Sequence, residues 1–259
     1  EIKFKKYKNE LEDLIENLGL TIIEEDFYNK TNYVIYCVDD LVDSITKFLD
    51  CYEIKDIEET GWESKWKEYI KPGHLTPNLK YVFDIQELHG KNTILINPSL
   101  AFGTGTHPTT QLAATLLEEV AKDKVVMDIG CGSGILSIAA EISGAKKVFA
   151  FDNDKIALQN TKENIAANNM GKIFIWAGDT NSIKNKTSVD IIVANIISSV
   201  LLSIKNDIYN LSPDYIILSG VLESEKDDFI SNFNSYYYII DKILSKDNWI
   251  GIRYRRKND

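Results

Sequence analysis

Lys124-Val125-Val126-Met127-Asp128-Ile129-Gly130-Cys131-Gly132-Ser133-Gly134 is the stretch that decides the fold of this chain. A strand-like run leads into three glycines at alternate positions, and Ile135 to Ile142 continues as a helix-like run. A glycine turn between strand and helix lets backbone N–H groups approach a ligand closely, with no Cβ in the way. A second apolar run, Lys147-Val148-Phe149-Ala150-Phe151, then ends in Asp152. An acid at the tip of the second strand is where an α/β sheet grips ribose hydroxyls. Strand, glycine turn, helix, strand and acid predict a βαβ unit that binds a ribose.

The glycine spacing narrows the ligand. The dinucleotide fingerprint is G-x-G-x-x-G, its second glycine admitting a pyrophosphate and its third packing helix on strand. Here the pattern is G-x-G-x-G after Asp128, with Ser137 and Ile138 where further glycines would be expected. A turn of this type resembles the first motif of the S-adenosylmethionine-dependent methyltransferases, in which it faces the amino-acid end of the cofactor. A purely structural turn is the competing reading of the pentapeptide alone. Coincidence with Asp152 counts against it, because two independent features must then agree.

Composition suits a globular enzyme. The chain has 259 residues, 44% of them hydrophobic and 26% charged, room for one large or two modest domains. The longest apolar stretch, Val189 to Ile204, is interrupted by Asp190, Asn195 and serines, so no transmembrane helix is expected. The opening Glu1-Ile2-Lys3-Phe4-Lys5-Lys6 leads into no apolar segment of a signal peptide. Cys37, Cys51 and Cys131 are scattered and form no C-x-x-C pair, the pattern of reduced thiols in a cytoplasmic protein without a metal site. Net charge is −10, of which residues 1–72 carry −8. Such a field repels nucleic acid and attracts a basic partner, chiefly by raising encounter rate. Solvated faces of amphipathic elements would give the same acidity.

The N-terminal region reads as a separate domain. Ile2 to Phe4 is strand-like, and Tyr7 to Leu18 has helical apolar spacing stopped by Gly19. Leu20 to Glu24 and Tyr33 to Val38 are strand-like about a turn at Tyr28-Asn29-Lys30. Leu41 to Leu49 is helical in period, and Tyr52 to Ile57 alternates. The order β-α-β-β-α-β predicts a small α+β ferredoxin-like domain over residues 1–60. It shows no catalytic constellation, which favours recognition. Residues 61–73 read as a linker helix ended by Pro72-Gly73, its Trp62, Trp66 and Tyr69 forming a packing stripe. Residues 74–259 hold the cofactor motifs.

Strand-like runs at Tyr81 to Ile85 and Thr93 to Ile96 lead to a second decisive segment, Asn97-Pro98-Ser99-Leu100-Ala101-Phe102-Gly103-Thr104-Gly105-Thr106-His107-Pro108-Thr109-Thr110. It precedes a helix expected over Gln111 to Val120, and it is too long and polar for an ordinary connection. Its hydroxyls and bare amides at a helix start suit a carboxylate. This stretch, F-G-T-G-T-H-P-T-T ahead of D-x-G-C-G-S-G, resembles the bacterial ribosomal protein L-eleven lysine methyltransferases. Ala194-Asn195-Ile196-Ile197 and Leu218-Ser219-Gly220-Val221-Leu222 match the same family. The resemblance runs from about Trp62 to Trp249, plus the general plan of the N-terminal domain. Asn153-Asp154 departs from the residue-proline pair common there, and the N-terminal domain is short and divergent.

The resemblance implies an α/β chain with a Rossmann-like methyltransferase sheet. It also implies S-adenosylmethionine as cofactor, S-adenosylhomocysteine as product, and a basic ribosomal protein as substrate of a cytoplasmic monomer. It places Thr110, Gly130 and Gly132 at the methionine end of the cofactor and Asp152 at the ribose hydroxyls. Asn195 falls at the active-site edge near the methyl group, in contact with both cofactor and amine. Phe102 and His107 would cover the methionyl moiety, although a loop histidine also serves as a hydrogen-bonding scaffold. Asp179, after the strand Lys172 to Trp176, would reach the adenine amino group or simply form a turn. Asp128 would brace the glycine turn. For Asn195 the plain alternative is a helix cap ahead of Ile196 to Ile204. A related enzyme acting on another protein or a small amine, and a nucleotide-binding oxidoreductase, are the other functional readings.

Overall fold

The computed structural model describes residues 2–4, 11, 14, 22–27, 30–35, 39–49, 52–54, 71–97, 103–183 and 188–257. The chain divides into two compact units, Glu1–Tyr69 and Ile70–Asp259. In the first, β1 (Ile2–Phe4), β2 (Ile22–Phe27), β3 (Lys30–Ile35) and β4 (Tyr52–Ile54) form an antiparallel sheet in the order β2-β3-β1-β4. Helix α1 (Asp39–Thr46) lies between β3 and β4 in sequence, and Leu11 and Leu14 are helical between β1 and β2. This is the split β-α-β arrangement expected of a ferredoxin-like domain. Its core is small: Ile2, Phe4, Leu11, Ile35 and Ile45 are buried together, and the Phe4 and Tyr33 rings stack at 5.8 Å. Strand β1 lies where the sequence places it, and the expected strand from Tyr33 is matched through Ile35, with β3 starting earlier at Lys30; residues 36–38 lie outside the described residues. The proposed helix over Trp62 to Ile70 and the turn at Tyr28-Asn29 lie outside the described residues.

The second unit opens with a three-stranded sheet of β5 (Gly73–His74), β6 (Lys80–Val82) and β7 (Thr93–Leu95), in which β6 and β7 run parallel. Beyond it come α2 (Pro108–Glu118), β8 (Val125–Ile129), α3 (Ile135–Ile142), β9 (Lys147–Asp152), α4 (Lys155–Ala167) and β10 (Ile173–Ala177). Next are β11 (Ile191–Asn195), α5 (Ser198–Ser203), α6 (Lys205–Asn210), β12 (Tyr215–Leu222), α7 (Lys226–Asn232), β13 (Tyr238–Lys246) and β14 (Trp249–Arg256). Seven strands make one sheet in the order β10-β9-β8-β11-β12-β14-β13. The first five are parallel; β14 pairs antiparallel with β12 and β13.

The long apolar runs follow from burial on both faces of this sheet. Ile191 and Val193 pack into one core while Ile192 and Ala194 pack into the other, and Ile217 is similarly opposed to Ile216 and Leu218. A period of two thus splits each strand between two hydrophobic layers. Strand order reverses between β8 and β11. Their carboxyl ends diverge there, and an open parallel sheet binds ligands at such a switch point.

Helix α2 begins three residues earlier than its apolar pattern suggests. Pro108 takes the first helical position, and the His107 side chain caps the Thr109 N–H. Proline has no amide hydrogen to leave unsatisfied there, so the Thr-rich end of the loop enters the helix at no cost in hydrogen bonds.

Candidate active site

The glycine turn is built from backbone conformations that only glycine adopts freely. Gly130, Gly132 and Gly134 have φ of +69°, +54° and +80°. A Cβ would meet Ile196 Cγ2 at 2.8 Å from Gly130 and Thr161 Cγ2 at 2.8 Å from Gly134. The tip of β9 grips this turn: the N–H groups of Gly130 and Cys131 both donate to Phe151 O, at 2.9 and 3.1 Å. The Gly132 N–H donates to Asp152 Oδ2 at 2.9 Å, and the Asp154 N–H to Asp152 Oδ1 at 3.0 Å. Asp152 is therefore oriented by main chain on both sides and stays half-buried at the cavity wall. A carboxylate held this way retains lone pairs for a diol. Asn153-Asp154, the departure from the family pair, has a local use: Asp154 caps α4 by accepting the Ile156 N–H at 2.8 Å.

Beneath the turn, Asp128 is sealed from solvent. Ser137 Oγ donates to its Oδ2 at 2.6 Å, while Oδ1 is buried without a partner among the described residues. Desolvation, opposed in part by the Ser137 hydrogen bond, pushes its pKa up from 3.8 to about 7. Between those values the folded chain keeps a proton that the unfolded chain has lost, so stability falls as pH rises. Above pH 7 both states are ionised and the full penalty remains. Urea titrations should show a loss of up to about 4 kcal/mol from this group between pH 4 and pH 8. The slope should vanish in Asp128→Asn; an identical slope in both proteins would exclude Asp128 as its source. The buried Cys131 thiol is likewise pushed up by desolvation, and remains an unreactive thiol.

A cavity of about 920 Å³ opens at the carboxyl ends of β8, β9 and β11. That volume is at the upper end of the range for a small-molecule or cofactor site. Thr110, Gly130, Gly132, Asp152, Asn195, His107 and Asp179 all line it, so seven residues singled out from sequence converge on one space. Phe102 lies outside the described residues. Asp152, Asp154, Asp179 and Asp207 contribute carboxylates to the wall, and no lysine or arginine lines it among the described residues. An acidic wall suits a cofactor with a positive sulfur and opposes the two charges of a pyrophosphate. This argues against a dinucleotide.

Asn195 ends β11 and is 9% exposed. Its Nδ2 donates to Thr110 Oγ1 at 3.2 Å, and its Oδ1 is a buried acceptor with no partner among the described residues. The helix that follows starts at Ser198 with Ile197 as its cap residue. Helix capping therefore does not explain the asparagine. His107 works partly as a scaffold: its Nδ1 lies 2.7 Å from Thr109 Oγ1, and its ring meets Trp249 edge-on at 5.2 Å. Asp179 is exposed and turns its carboxylate to Asn181, accepting from the main-chain N–H at 2.9 Å and from Nδ2 at 3.1 Å. The Asn181 side-chain hydrogen bond, opposed only in part by desolvation, holds its pKa below the usual carboxylate range.

Among the wall residues assigned no role from sequence are Ile196 and Gly220, both inside family-matching stretches, and Trp249. Gly220 has φ +95°, and a Cβ there would lie 2.2 Å from Ile196 O. The main chain after Asn195 thus passes directly over Gly220, at the irregularity between Ser219 and Val221 where β12 pairs with β14. Trp249 follows Asp247-Asn248, whose φ of +49° and +64° mark a tight hairpin turn. That Asp-Asn pair was the available signal.

Known proteins fit this arrangement. The family profile described as ribosomal protein L11 methyltransferase matches residues 5–257. Ribosomal protein L11 methyltransferase of Streptococcus pneumoniae strain 70585 is 34% identical over 230 residues, 84% of this chain and 72% of its own length. That of strain JJA is 32% identical over 256 residues, 94% of this chain and 77% of its own. A crystal structure of ribosomal protein L11 methylase from Lactobacillus delbrueckii subsp. bulgaricus superimposes with a TM-score of 0.63 at 30% identity, covering 73% of this chain and all of that one. A structure described as a methyltransferase complexed with S-adenosylhomocysteine, 14% identical with a TM-score of 0.51, shares the fold over 62% of this chain and 52% of its own. On a profile that spans nearly every residue, and on relatives at this identity, the chain belongs to the ribosomal protein L11 methyltransferase family, whose members are S-adenosylmethionine-dependent.

Proposed function

We propose that this chain methylates lysine amino groups of ribosomal protein L11 in the cytoplasm, and that the acidic N-terminal unit draws in this basic substrate. The observation that carries the catalytic reading is the buried Oδ1 of Asn195 in the wall of the cavity, which has no partner among the described residues. The donor set fits S-adenosylmethionine: glycine-turn main chain, an oriented Asp152, a Thr110 hydroxyl and wall carboxylates with no opposing cation among the described residues. When bound, that cofactor supplies a methyl carbon activated by positively charged sulfur. The residues themselves supply position, the main requirement of an in-line transfer. A lysine amine has an unperturbed pKa of ~10.4 and must arrive neutral, which a partly dry site beside a positive charge promotes. Asn195 Oδ1 accepts a hydrogen bond from the amine, and Thr110, by accepting from Nδ2, fixes which way the amide faces.

The test is incubation of the chain with labelled S-adenosylmethionine and purified ribosomal protein L11, followed by mass spectrometry of the product. Label on lysine is expected; none on L11 but label on another protein or a small amine would redirect the reading. Deleting residues 1–60 should preserve cofactor binding and sharply reduce methylation of the intact protein. Rising salt should slow the wild-type reaction with this substrate, since exposed charges are screened beyond a Debye length of ~8 Å at physiological ionic strength. Equal methylation by the truncated and full chains would remove the recognition role from the acidic unit.

A further inference from the structure

Helix α4 carries Asn160 and Asn164, and Asn168 caps its C-terminus, one every four residues along a single face. All three are buried, Asn164 completely. Asparagine is a poor helix former, and a buried amide must find partners on both sides. These amides find them in two places. Asn168 is bonded twice to Leu95 of β7, accepting its N–H at 2.8 Å and donating to its carbonyl at 2.7 Å. Asn160 donates to Asn97 O at 3.0 Å, and Asn164 Oδ1 accepts the Asn97 N–H at 2.7 Å. The other end of Asn164 leaves this pattern: its Nδ2 donates to Ser133 O, inside the glycine turn, at 2.8 Å.

Ser133 also anchors Gly103. Its Oγ donates to Gly103 O at 2.6 Å. Asn97 and Gly103 are thus both tied to one residue of the glycine turn, Gly103 directly and Asn97 through Asn164. Gly103 shares the cavity wall with Gly130 and Gly132 of the turn. We propose that Asn164 is a positioning residue for the cofactor site: with Ser133 it holds Asn97 and Gly103 in register with the glycine turn, so that the walls of the cavity are set together. The inference rests on the reading of this cavity as the S-adenosylmethionine site.

Asn168 serves as the internal control, because it braces β7 and touches no part of the glycine turn. S-adenosylhomocysteine binding by calorimetry and melting temperature should be measured for wild type, Asn164→Ala and Asn168→Ala. Both variants should melt earlier. Asn164→Ala should bind the nucleotide at least about tenfold more weakly, and Asn168→Ala within about twofold of wild type. Ser133→Ala combined with Asn164→Ala should weaken binding by less than the product of the single effects, since both contacts run through Ser133. If Asn164→Ala does not fold, Asn164→Asp gives the reading, for it keeps the acceptor for Asn97 and loses the donor to Ser133. Equal weakening by the Asn164 and Asn168 variants, or wild-type affinity in the Asn164 variant, would overturn the proposal. Failure of the wild type to bind would instead overturn the cofactor reading and the inference with it.

Discussion

Asn195→Ala should cut turnover about 100-fold while leaving S-adenosylmethionine affinity within about twofold of wild type. The substitution removes the one buried acceptor in the cavity wall that lacks a partner among the described residues, and with it the link to Thr110. Nothing in its position makes Asn195 a support for the glycine turn or for Asp152, whose contacts run through Phe151, Gly132 and Asp154. The loss should therefore fall on the step in which an amine is aimed, and a small misplacement of a reacting atom is costly there. Methyl incorporation at saturating substrates reports turnover, and calorimetry reports cofactor affinity. Unchanged turnover would rule out the orienting role. A large loss of affinity with unchanged turnover would make Asn195 a cofactor ligand only.

The second large effect is expected at Gly220, which lies in a family-matching stretch but was assigned no role from sequence. An alanine Cβ would sit 2.2 Å from Ile196 O and 2.7 Å from Ile196 C, in a residue whose φ is +95°. Both obstacles are main chain, so no side-chain rotation relieves them; β12 or the segment after Asn195 must shift. Gly220→Ala should cost about 3 kcal/mol of stability, combining left-handed strain with overpacking. Turnover should fall about 100-fold as Asn195 and Ile196 are displaced. Gly90 is the matched control: its φ is +79°, yet an added Cβ meets nothing within 4 Å. Gly90→Ala should cost only the left-handed term, about 1 kcal/mol, with activity unchanged. Similar losses in the two variants would show that backbone strain alone, without the close approach to Ile196, accounts for the Gly220 effect.

Much of the cavity wall was legible because it is local. Gly130, Gly132 and Asp152 belong to one βαβ unit, in which a turn between strand and helix and an acid at the next strand tip are fixed by short chain segments with strong periodicity. Parallel strands buried on both faces announced themselves as the apolar runs Val125 to Ile129 and Ile191 to Ala194. The start of α2 was misplaced for a local reason too: threonines masked the helical pattern, while Pro108 and the cap at His107 carried the boundary.

What the sequence by itself determined is therefore the βαβ unit, the glycine turn with its acid, the ferredoxin-like order of the first unit and the family. What only the tertiary structure decided is which distant segments share the cavity. Thr110 reaches Asn195 across 85 positions, Asn164 reaches Asn97 across 67, and Gly220 lies under Ile196 because β12 pairs with β11. Spacing along the chain encodes turns and faces, since these depend on neighbouring dihedrals. Contacts between strands depend on sheet order, and in this sheet the order reverses between β8 and β11, where no local pattern records which strand comes next.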